Sequence, residues 1–496
     1  MNRNARAMLV GLSTLIAAAF AFADEAIAER EVFMPPMAEL DKGWHTLKPG
    51  GETRCALGDE YKFFVHPGEA EKLMIHFLGG GLCWNAQLCH PALEDIYYKT
   101  VRADQDPAWM IENWGQATGI FDRSHADNPL ADYTMVVVPY CTGDVHLGNR
   151  DVDYVLELGN GATQEFTVHH RGLVNGMAAI GWVRDNIGEP STVFVGGTSA
   201  GALAVPYYAR LLATAFPQAR VTGLANDAGG ARAKEMQGVD HRAWGVPEVL
   251  QNHETWQDLW ADGVDMPDAF IRGGEGIKNL ALYQLDHAHD LVQRSWIGMI
   301  GGQPVDLEAL IRTNRQSIRD QLHGFRGFTV GGTNHIILIS PLFYQYQTQG
   351  TRLRDWVAGI LSGTDASDVD CTNCSRPAFR YVKGDLEIID HALEQLAEPE
   401  AWNPDSTGPE DCPEWAEQFS LVCAVVQGIR ATSRLPHDHH AAWWEVVHAA
   451  MEAHGQDPTW NAPVSYNNRS DATHEDMVAL LRTVRERMVA AHQDNH

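Results

Sequence analysis

Hydrophobic positions between about residue 60 and residue 340 form short apolar runs that alternate with stretches of helical periodicity. The runs are rich in β-branched and aromatic residues and are bounded by Gly, Asn or Asp, which is typical of β-strands. They predict strands at 61–65, 72–78, 133–139, 192–195, 221–225, 280–285 and 328–330. The clearest helical patterns lie at 176–187 and 202–216. This alternation predicts an α/β fold with a largely parallel sheet flanked by helices.

The pattern changes near residues 361–377, a turn-rich stretch that contains cysteines. Beyond it the periodicity is mostly helical, with helices expected at 386–396, 441–454 and 474–491. Thr473 followed by Asp476 resembles a helix N-cap. We therefore predict a large domain at 24–365 and a C-terminal helical appendage of unknown role at 366–496.

The first residues have the pattern of a secretory signal peptide. Arg3 and Arg6 precede an apolar run at 7–22, and a small-x-small cleavage site ends at Ala23. The alternative is an uncleaved membrane anchor, for which the run is short. No later segment has the uninterrupted apolar length of a membrane helix. We expect a signal peptide at 1–23 and a mature protein that is secreted or periplasmic, not integral to the membrane.

Charge and cysteine content narrow the classes of partner. Lys and Arg number 37 and Asp and Glu number 65, so the net charge is 37 − 65 = −28. A chain this acidic lacks the basic footprint that nucleic acids require, so no nucleic-acid partner is expected.

An even count of eight cysteines in an exported chain indicates disulfides. They fall into one group before residue 150 and one after residue 370. Cys83 and Cys89 are close enough to close one loop, which leaves Cys55 with Cys141. The pairing of the second group stays open, because Cys371 and Cys374 also fit a redox motif or half of a zinc site. The members of that second group are Cys371, Cys374, Cys412 and Cys423. We predict no metal.

A candidate nucleophile lies in the segment TVFVGGTSAG at 192–201. A β-branched strand leads into Gly-x-Ser-x-Gly, and an apolar helix follows. This turn presents Ser199 at a helix N-terminus, where the helix dipole favours developing negative charge. The alternative is a tight glycine turn around a buried serine.

A second glycine segment, LMIHFLGGGLCWN at 73–85, ends another predicted strand. Three consecutive glycines allow backbone N–H groups to approach a ligand closely. Serine hydrolases need one oxyanion donor from such a loop and one from the residue after the nucleophile. The candidate donors are Gly80 or Gly81, together with Ala200. A flexible turn is the alternative.

A serine nucleophile also needs a histidine base and a carboxylate to orient it. In this class the chain order is serine, acid, histidine. His335 follows the last predicted strand and two glycines, which makes it the candidate base. Asp227, Asp286 and Asp290 each follow a strand, and the local pattern does not choose among them.

Five segments, in chain order, resemble the pectin acetylesterase/Notum family of secreted serine carboxylesterases. They are GGGLCWN (79–85), VVVPYCTGDVHLGN (136–149), GGTSAGALAV (196–205), LDHAHDLVQ (285–293) and VGGTNHIIL (330–338). The resemblance implies an α/β-hydrolase fold, Ser199 as nucleophile, Asp290 as acid and His335 as base. It also implies Gly80 and Gly81 in the oxyanion loop, and it supports both predicted disulfides of the first group.

The sequence departs from the family at Gly81 and Leu82, where Trp is common, and at Thr198, where Cys is common. Both changes leave the choice of substrate open. Four further residues are candidates for the pocket wall: Trp84, Asn85, Asp144 and His146. For Asp144 and His146 the alternative is a role in fixing a loop. His169-His170 and the histidines of 436–440 invite a metal interpretation, but a solvated helix start or loop explains them more simply.

The expected function is that of a secreted serine esterase that uses no cofactor and removes acetyl groups from a polysaccharide such as pectin. The net charge favours a neutral or heavily esterified glycan over free polygalacturonate. One alternative is a carboxylesterase for longer acyl chains, and another is a non-catalytic glycan-binding protein on an esterase scaffold. A third assigns binding to the appendage, through exposed Trp443 and Trp444, although helical spacing favours core packing for one of the pair.

Overall fold

The structure is a computed structural model that describes residues 32–94, 96–159, 161–232, 239–256, 265–364, 366–454 and 461–493. The predicted signal peptide at 1–23 lies outside the described residues. Among the residues described, no helix is long and apolar enough to cross a membrane.

Thirteen strands lie in the described part of the chain. In chain order they are β1 (His45–Leu47), β2 (Phe63–His66), β3 (Glu69–Phe77), β4 (Tyr133–Val138), β5 (Arg150–Glu157), β6 (Thr163–His170), β7 (Thr192–Thr198), β8 (Arg220–Asn226), β9 (Leu280–His287), β10 (Arg326–Val330), β11 (Tyr346–Thr348), β12 (Thr351–Arg352) and β13 (Ala378–Phe379).

Thirteen α-helices accompany them in the same described ranges. They are α1 (Pro107–Trp114), α2 (Gly172–Asn186), α3 (Val205–Ala215), α4 (Val246–Asn252), α5 (Met266–Gly274), α6 (Leu291–Gly301), α7 (Leu307–Arg319), α8 (Leu353–Ser362), α9 (Lys383–Gln395), α10 (Leu421–Thr432), α11 (Ala441–His454), α12 (Ala462–Asn467) and α13 (His474–Gln493).

The central sheet has eight strands in the order β1-β2-β4-β3-β7-β8-β9-β10. All neighbours from β4 to β10 are parallel, whereas β1 and β2 join antiparallel at one edge. Every strand that the apolar runs predicted is present in this sheet. The sheet and its flanking helices confirm the predicted α/β-hydrolase-like fold, in which the carboxyl ends of parallel strands carry the functional groups.

The strands that the sequence pattern missed lie at or outside the edge of this sheet. The hairpin of β5 and β6 carries many charged and exposed residues, so its apolar alternation is weak. His169 and His170, expected in a helix start or loop, instead end β6. The interpretation of a solvated pair is wrong for His170, which is buried and contacts the Thr142 carbonyl and the Tyr154 hydroxyl.

Different sets of helices pack on the two faces of the central sheet. Along β3, Ile75 and Phe77 pack with helices α2, α3, α5 and α7, whereas Met74 faces the opposite side. On that opposite side the cover consists of α8 and the helices after residue 380, which share one apolar core with the sheet. The predicted helices of this region are present, and Thr473 and Asp476 cap α13 reciprocally. The domain boundary at 365/366 stays a prediction.

Four disulfides close loops within the described residues. Cys55–Cys141 and Cys83–Cys89 confirm the predicted pairs. The second group pairs as Cys371–Cys374 and Cys412–Cys423, which settles the pairing that the sequence left open. These cysteines are linked to each other, so the half zinc site considered for Cys371 and Cys374 does not describe them.

Candidate active site

Ser199 lies at the sharp turn between strand β7 and helix α3. Its φ of 53° is in the left-handed region, a strained conformation for a residue with a side chain. A 3₁₀ turn at Ser199–Ala204 precedes α3, so the helix predicted from residue 202 begins later than expected. Gly201 is needed here because a Cβ at this position would collide with the Phe77 carbonyl on β3. The strand-turn-helix geometry predicted around Ser199 is therefore present.

The triple-glycine loop after β3 lies directly against Ser199. A Cβ on Gly79 would stand 2.5 Å from both the Ser199 Cβ and the Thr198 carbonyl oxygen, so only glycine fits. His146 Nε2 donates to the Leu78 carbonyl at 2.8 Å, and Cys83–Cys89 ties the far end of the loop. The loop is thus fixed at both ends, as preorganised oxyanion donors require.

His335, which is partly exposed, and the buried Asp290 form a pair beside this turn. The Asp290 Oδ2 lies 2.6 Å from His335 Nδ1 and also accepts from Gln293 Nε2 at 3.0 Å. Asp290 is the N-cap of α6, where its Oδ1 accepts from the N–H groups of Val292 and Gln293 at 2.8 and 3.0 Å. These bonds fix the carboxylate, and the carboxylate in turn fixes the imidazole.

The other ring nitrogen of His335 is buried and has no hydrogen-bond partner among the described residues. Burial by itself lowers the pKa of His335, but the neighbouring Asp290, with Asp227 and Asp286, raises it, and the net shift is upward. The ring therefore has a stabilised protonated form and an unengaged Nε2, which are the properties of a general base.

The backbone that carries His335 is held by two side chains at the end of β8. Asp227 Oδ2 accepts from the Ile336 N–H at 2.7 Å. Asn226 Oδ1 accepts from the N–H groups of Ile337 and Leu338 at 2.8 and 3.0 Å. Ile336 has a φ of 70°, so these bonds stabilise a strained loop. Sequence reasoning missed this pair of anchors, although an Asn-Asp pair at the carboxyl end of a strand was a visible signal.

Of the three carboxylates that the local pattern left open, Asp290 is the one that contacts the His335 ring. Asp227 faces His287 Nδ1 at 3.1 Å. Burial would raise the pKa of Asp227, but His287 and His335 lower it on balance. Asp286 pairs with buried Arg315 at 2.8 Å. Asp227 therefore bonds to backbone N–H groups and to His287, whereas Asp286 forms an ion pair with Arg315.

Asp227, Asp290 and His335 also bring three possible metal-ligand atoms within 4.8 Å of one another. Both carboxylates, however, already accept backbone N–H bonds, and His335 Nδ1 is bonded to Asp290. A second such group, Cys83, Cys89 and His170, contains sulfurs that form a disulfide. In each group, atoms that would have to bind a metal ion are therefore already engaged in other bonds.

A small cavity of about 60 Å³ connects these elements. Ser199, Ala200, Gly81 and His335 line it, whereas Gly80 is not among the lining residues. The rest of the wall is mostly apolar and comprises Leu82, Leu203, Asp227, Ala228, Ala231, Val292, Gln293, Trp296 and Ile297. The candidate nucleophile, the candidate base and two of the three candidate oxyanion donors therefore face one space.

The four candidate wall residues lie behind this cavity rather than on it. Trp84 packs on Trp296 with ring centroids 6.5 Å apart, and the Asn85 side chain caps a turn at Leu88. Asp144 accepts from Thr142 Oγ1 at 2.6 Å and from the Gly172 N–H at 2.7 Å. Burial raises the pKa of Asp144 to about 6 and lowers that of His146 to about 4. Asp144 and His146 fix loops, and Trp84 supports a wall residue.

The fold and the nucleophile turn define the class: an α/β-hydrolase-like protein with a serine at the strand-to-helix elbow. Residues 48–261 match the family model Pectinacetylesterase. This match confirms the resemblance to the family and the carboxylic ester hydrolase class that the motifs predicted. Residues 381–487 match a second model, described as a family of unknown function (DUF6197). No curated protein matches the chain.

Proposed function

We propose that the protein is an exported serine esterase that removes acetyl groups from a polysaccharide such as pectin. The observation that carries the proposal is the His335–Asp290 bond of 2.6 Å, which leaves Nε2 unengaged on a histidine that lines the same cavity as Ser199. A base oriented by a carboxylate and aimed at the space beside a serine is the arrangement that acyl transfer requires.

The reaction follows from these positions. His335 Nε2 takes the proton of the Ser199 hydroxyl while its oxygen attacks the ester carbonyl carbon, and Asp290 stabilises the imidazolium. The N–H groups of Ala200 and Gly81, with Gly80 as the remaining candidate, stabilise the tetrahedral oxyanion. His335 then returns its proton to the departing alcohol. Water, deprotonated by the same ring, hydrolyses the acyl-serine to release the acid and restore Ser199.

The size of the cavity supports a short acyl group. One water-sized sphere needs roughly 10–15 Å³ of such space, so about 60 Å³ accommodates roughly four to six atoms. An acetyl group with its ester oxygen fits this volume. The wall beyond that volume includes Trp296 and Ile297, which pack against the main apolar core. The cavity therefore favours acetyl esters over the longer-chain esters considered above.

Export is supported by the four disulfides, because such bonds persist in oxidising compartments. The predicted signal peptide adds a second reason that is independent of the structure. Both are consistent with an enzyme that meets its polysaccharide outside the cytoplasm.

The test is a comparison of wild type, Ser199→Ala and the matched control Ser317→Ala on nitrophenyl esters of two to eight carbons. We expect Ser199→Ala to lose at least about 10³-fold in kcat with an unchanged melting temperature, and Ser317→Ala to match wild type. Wild type should prefer the two-carbon ester. Full activity of Ser199→Ala would refute the nucleophile. Wild type that neither turns over esters nor reacts with a serine-directed phosphonate would favour a non-catalytic glycan-binding protein.

A further inference from the structure

A second cavity, of about 380 Å³, adjoins His335 on the side of the C-terminal helices. Apart from His335, the residues that line it belong to the C-terminal region: Thr407, Gly408, Pro409, Glu410, Val422, His437, Asp438, Trp443, Trp444, Asn461, Pro463 and Val464. All of them except His335 fall in the stretch that matches the family of unknown function. We call this space the helical cavity.

The walls of the helical cavity combine fixed aromatic rings with polar side chains. Trp443 and Trp444 are 5% and 7% exposed, so the core packing expected for one of them holds for both. Trp443 packs edge-on against His437 at 4.5 Å, and Trp444 Nε1 donates to the Asp438 carbonyl at 2.8 Å. Glu410 and Asp438 carry exposed carboxylates at the same space. Apolar ring surface beside hydroxyl-bonding carboxylates is the chemistry that binds a sugar.

His335 connects the helical cavity to the proposed reaction, because this residue lines both the helical cavity and the smaller cavity that contains Ser199. Ser199, Gly81 and Ala200 line only the smaller cavity, which must therefore hold the carbonyl and the acyl group. The base returns its proton to the departing alcohol, so the alcohol has to lie beside the His335 ring. The helical cavity borders His335 and is lined by none of Ser199, Gly81 and Ala200.

The dimensions fit a saccharide chain. A volume of about 380 Å³ corresponds to roughly 25–38 water-sized positions, which is space for about two sugar rings. An outer cavity of about 870 Å³ shares Pro409, Glu410 and His437 with the helical cavity and continues it outward. The ring next to His335 thus has a path along which a polymer can extend.

The charged side chains that line the helical cavity indicate which kind of sugar it favours. The charged side chains of the helical cavity are the carboxylates of Glu410 and Asp438, with His335 and His437 as its titratable rings. Arg430 and Arg434 line only the outer cavity. A carboxylate on the substrate would therefore be repelled by two negative charges beside the reacting ester. A sugar hydroxyl could instead donate hydrogen bonds to the same two carboxylates.

We infer that the C-terminal helical region supplies the alcohol-side subsite of the esterase, and that this subsite takes an uncharged, hydroxyl-bearing sugar unit in preference to a free uronate. The inference rests on the proposed function and specifies its substrate. It also gives a role to the region that matches a family of unknown function.

The steric test uses Thr407→Trp in the full chain, since Thr407 is an exposed residue that lines the helical cavity. Acid release is titrated with two substrates, partially acetylated xylo-oligosaccharides and ethyl acetate, whose small alcohol needs no subsite. We expect the ratio of the two kcat/KM values, oligosaccharide over ethyl acetate, to fall at least ten-fold. The matched control is Glu417→Trp, an exposed position outside both cavities, and should leave the ratio within two-fold. An unchanged ratio in Thr407→Trp overturns the inference.

The charge test uses Glu410→Gln with Asp438→Asn, which preserves shape and removes both negative charges. The kcat/KM for acetylated oligogalacturonate, relative to the xylo-oligosaccharide, should rise about two- to five-fold, and less at high salt. Glu417→Gln is the matched control and should leave this preference at its wild-type value. A preference for the uronate in wild type, or no response to the double variant, overturns the inference. Failure of the proposed function is distinguishable, because wild type would then release acid from neither ethyl acetate nor any glycan.

Discussion

Replacement of Asp290 by Asn tests the link between the acid and the base most directly. Asp290 Oδ1 accepts two backbone N–H bonds at the start of α6, and Asn can keep that role because it caps helices as well as Asp does. The change falls on Oδ2, which faces His335 Nδ1 at 2.6 Å and Gln293 Nε2 at 3.0 Å. The NH₂ group of an introduced Asn at this position would face two hydrogen-bond donors, His335 Nδ1 and Gln293 Nε2.

The magnitude follows from the tautomer of the ring. To accept from the NH₂ group of the introduced amide, His335 must carry its proton on Nε2, where it can no longer take the proton of Ser199. A wrong tautomer of this kind costs about 10³–10⁴ in kcat, which corresponds to about 4–5.5 kcal/mol of lost transition-state stabilisation. The free energy of unfolding should fall by about 1–3 kcal/mol, because the helix cap is retained but the buried Gln293 Nε2 donor loses its acceptor.

The assay is steady-state hydrolysis of nitrophenyl acetate together with urea unfolding of the same samples. Asp306→Asn is the matched control, because Asp306 caps α7 through the Ala309 N–H at 3.1 Å and lies outside the smaller cavity. We expect wild-type activity and stability in that variant. If Asp290→Asn keeps activity within ten-fold of wild type, Asp290 serves only as a helix cap and the reasoning is refuted.

Two further predictions concern the base and the glycine loop. The pKa of His335 is raised above its usual 6.5, and only the neutral ring accepts the serine proton, so kcat/KM should decline as pH falls through a midpoint above 6.5; a midpoint at or below 6.5 in the pH profile would contradict this. Gly79→Ala would place a Cβ 2.5 Å from the Ser199 Cβ and should lower kcat by about 10²-fold through displacement of the nucleophile. Gly181→Ala is its control, because nothing lies within 4 Å of that Cβ on helix α2, and this variant should keep full activity and gain about 0.5–1 kcal/mol of stability.

The local sequence pattern was sufficient to predict the central sheet and two members of the candidate site. Buried parallel strands appear as short apolar runs, and Ser199 and His335 each follow such a run at the edge where carboxyl ends meet. The choice of acid was not local. Asp227, Asp286 and Asp290 all follow strands, and only the bond to a ring 45 residues later distinguishes Asp290. The residue pattern could not supply that contact, and the family resemblance did.

The sequence also did not predict which helices pack on the second face of the sheet. An apolar stripe shows that a helix must pack, but not on which partner. Val422 on α10 and Val446 on α11 share a core with Met74 and Phe194 of the central strands. Trp443 and Trp444 are both buried for the same reason, whereas helical spacing favoured a core position for only one of them. The hydrophobic periodicity of a sequence does not show which distant elements pack against each other.

This shared core changes how the role of the C-terminal region can be tested. The loop before His335 rests on that region, since the Gly332 N–H donates to the Cys374 carbonyl at 2.9 Å and Thr333 Oγ1 lies 3.5 Å from His448 Nε2. A truncation at residue 366 would remove these supports and expose the apolar face of the sheet, so loss of activity would not separate binding from folding. Point substitutions at exposed wall residues such as Thr407 leave the core intact. They alter only the space beside His335, and selective loss of the oligosaccharide reaction then reports on the alcohol side of the site alone.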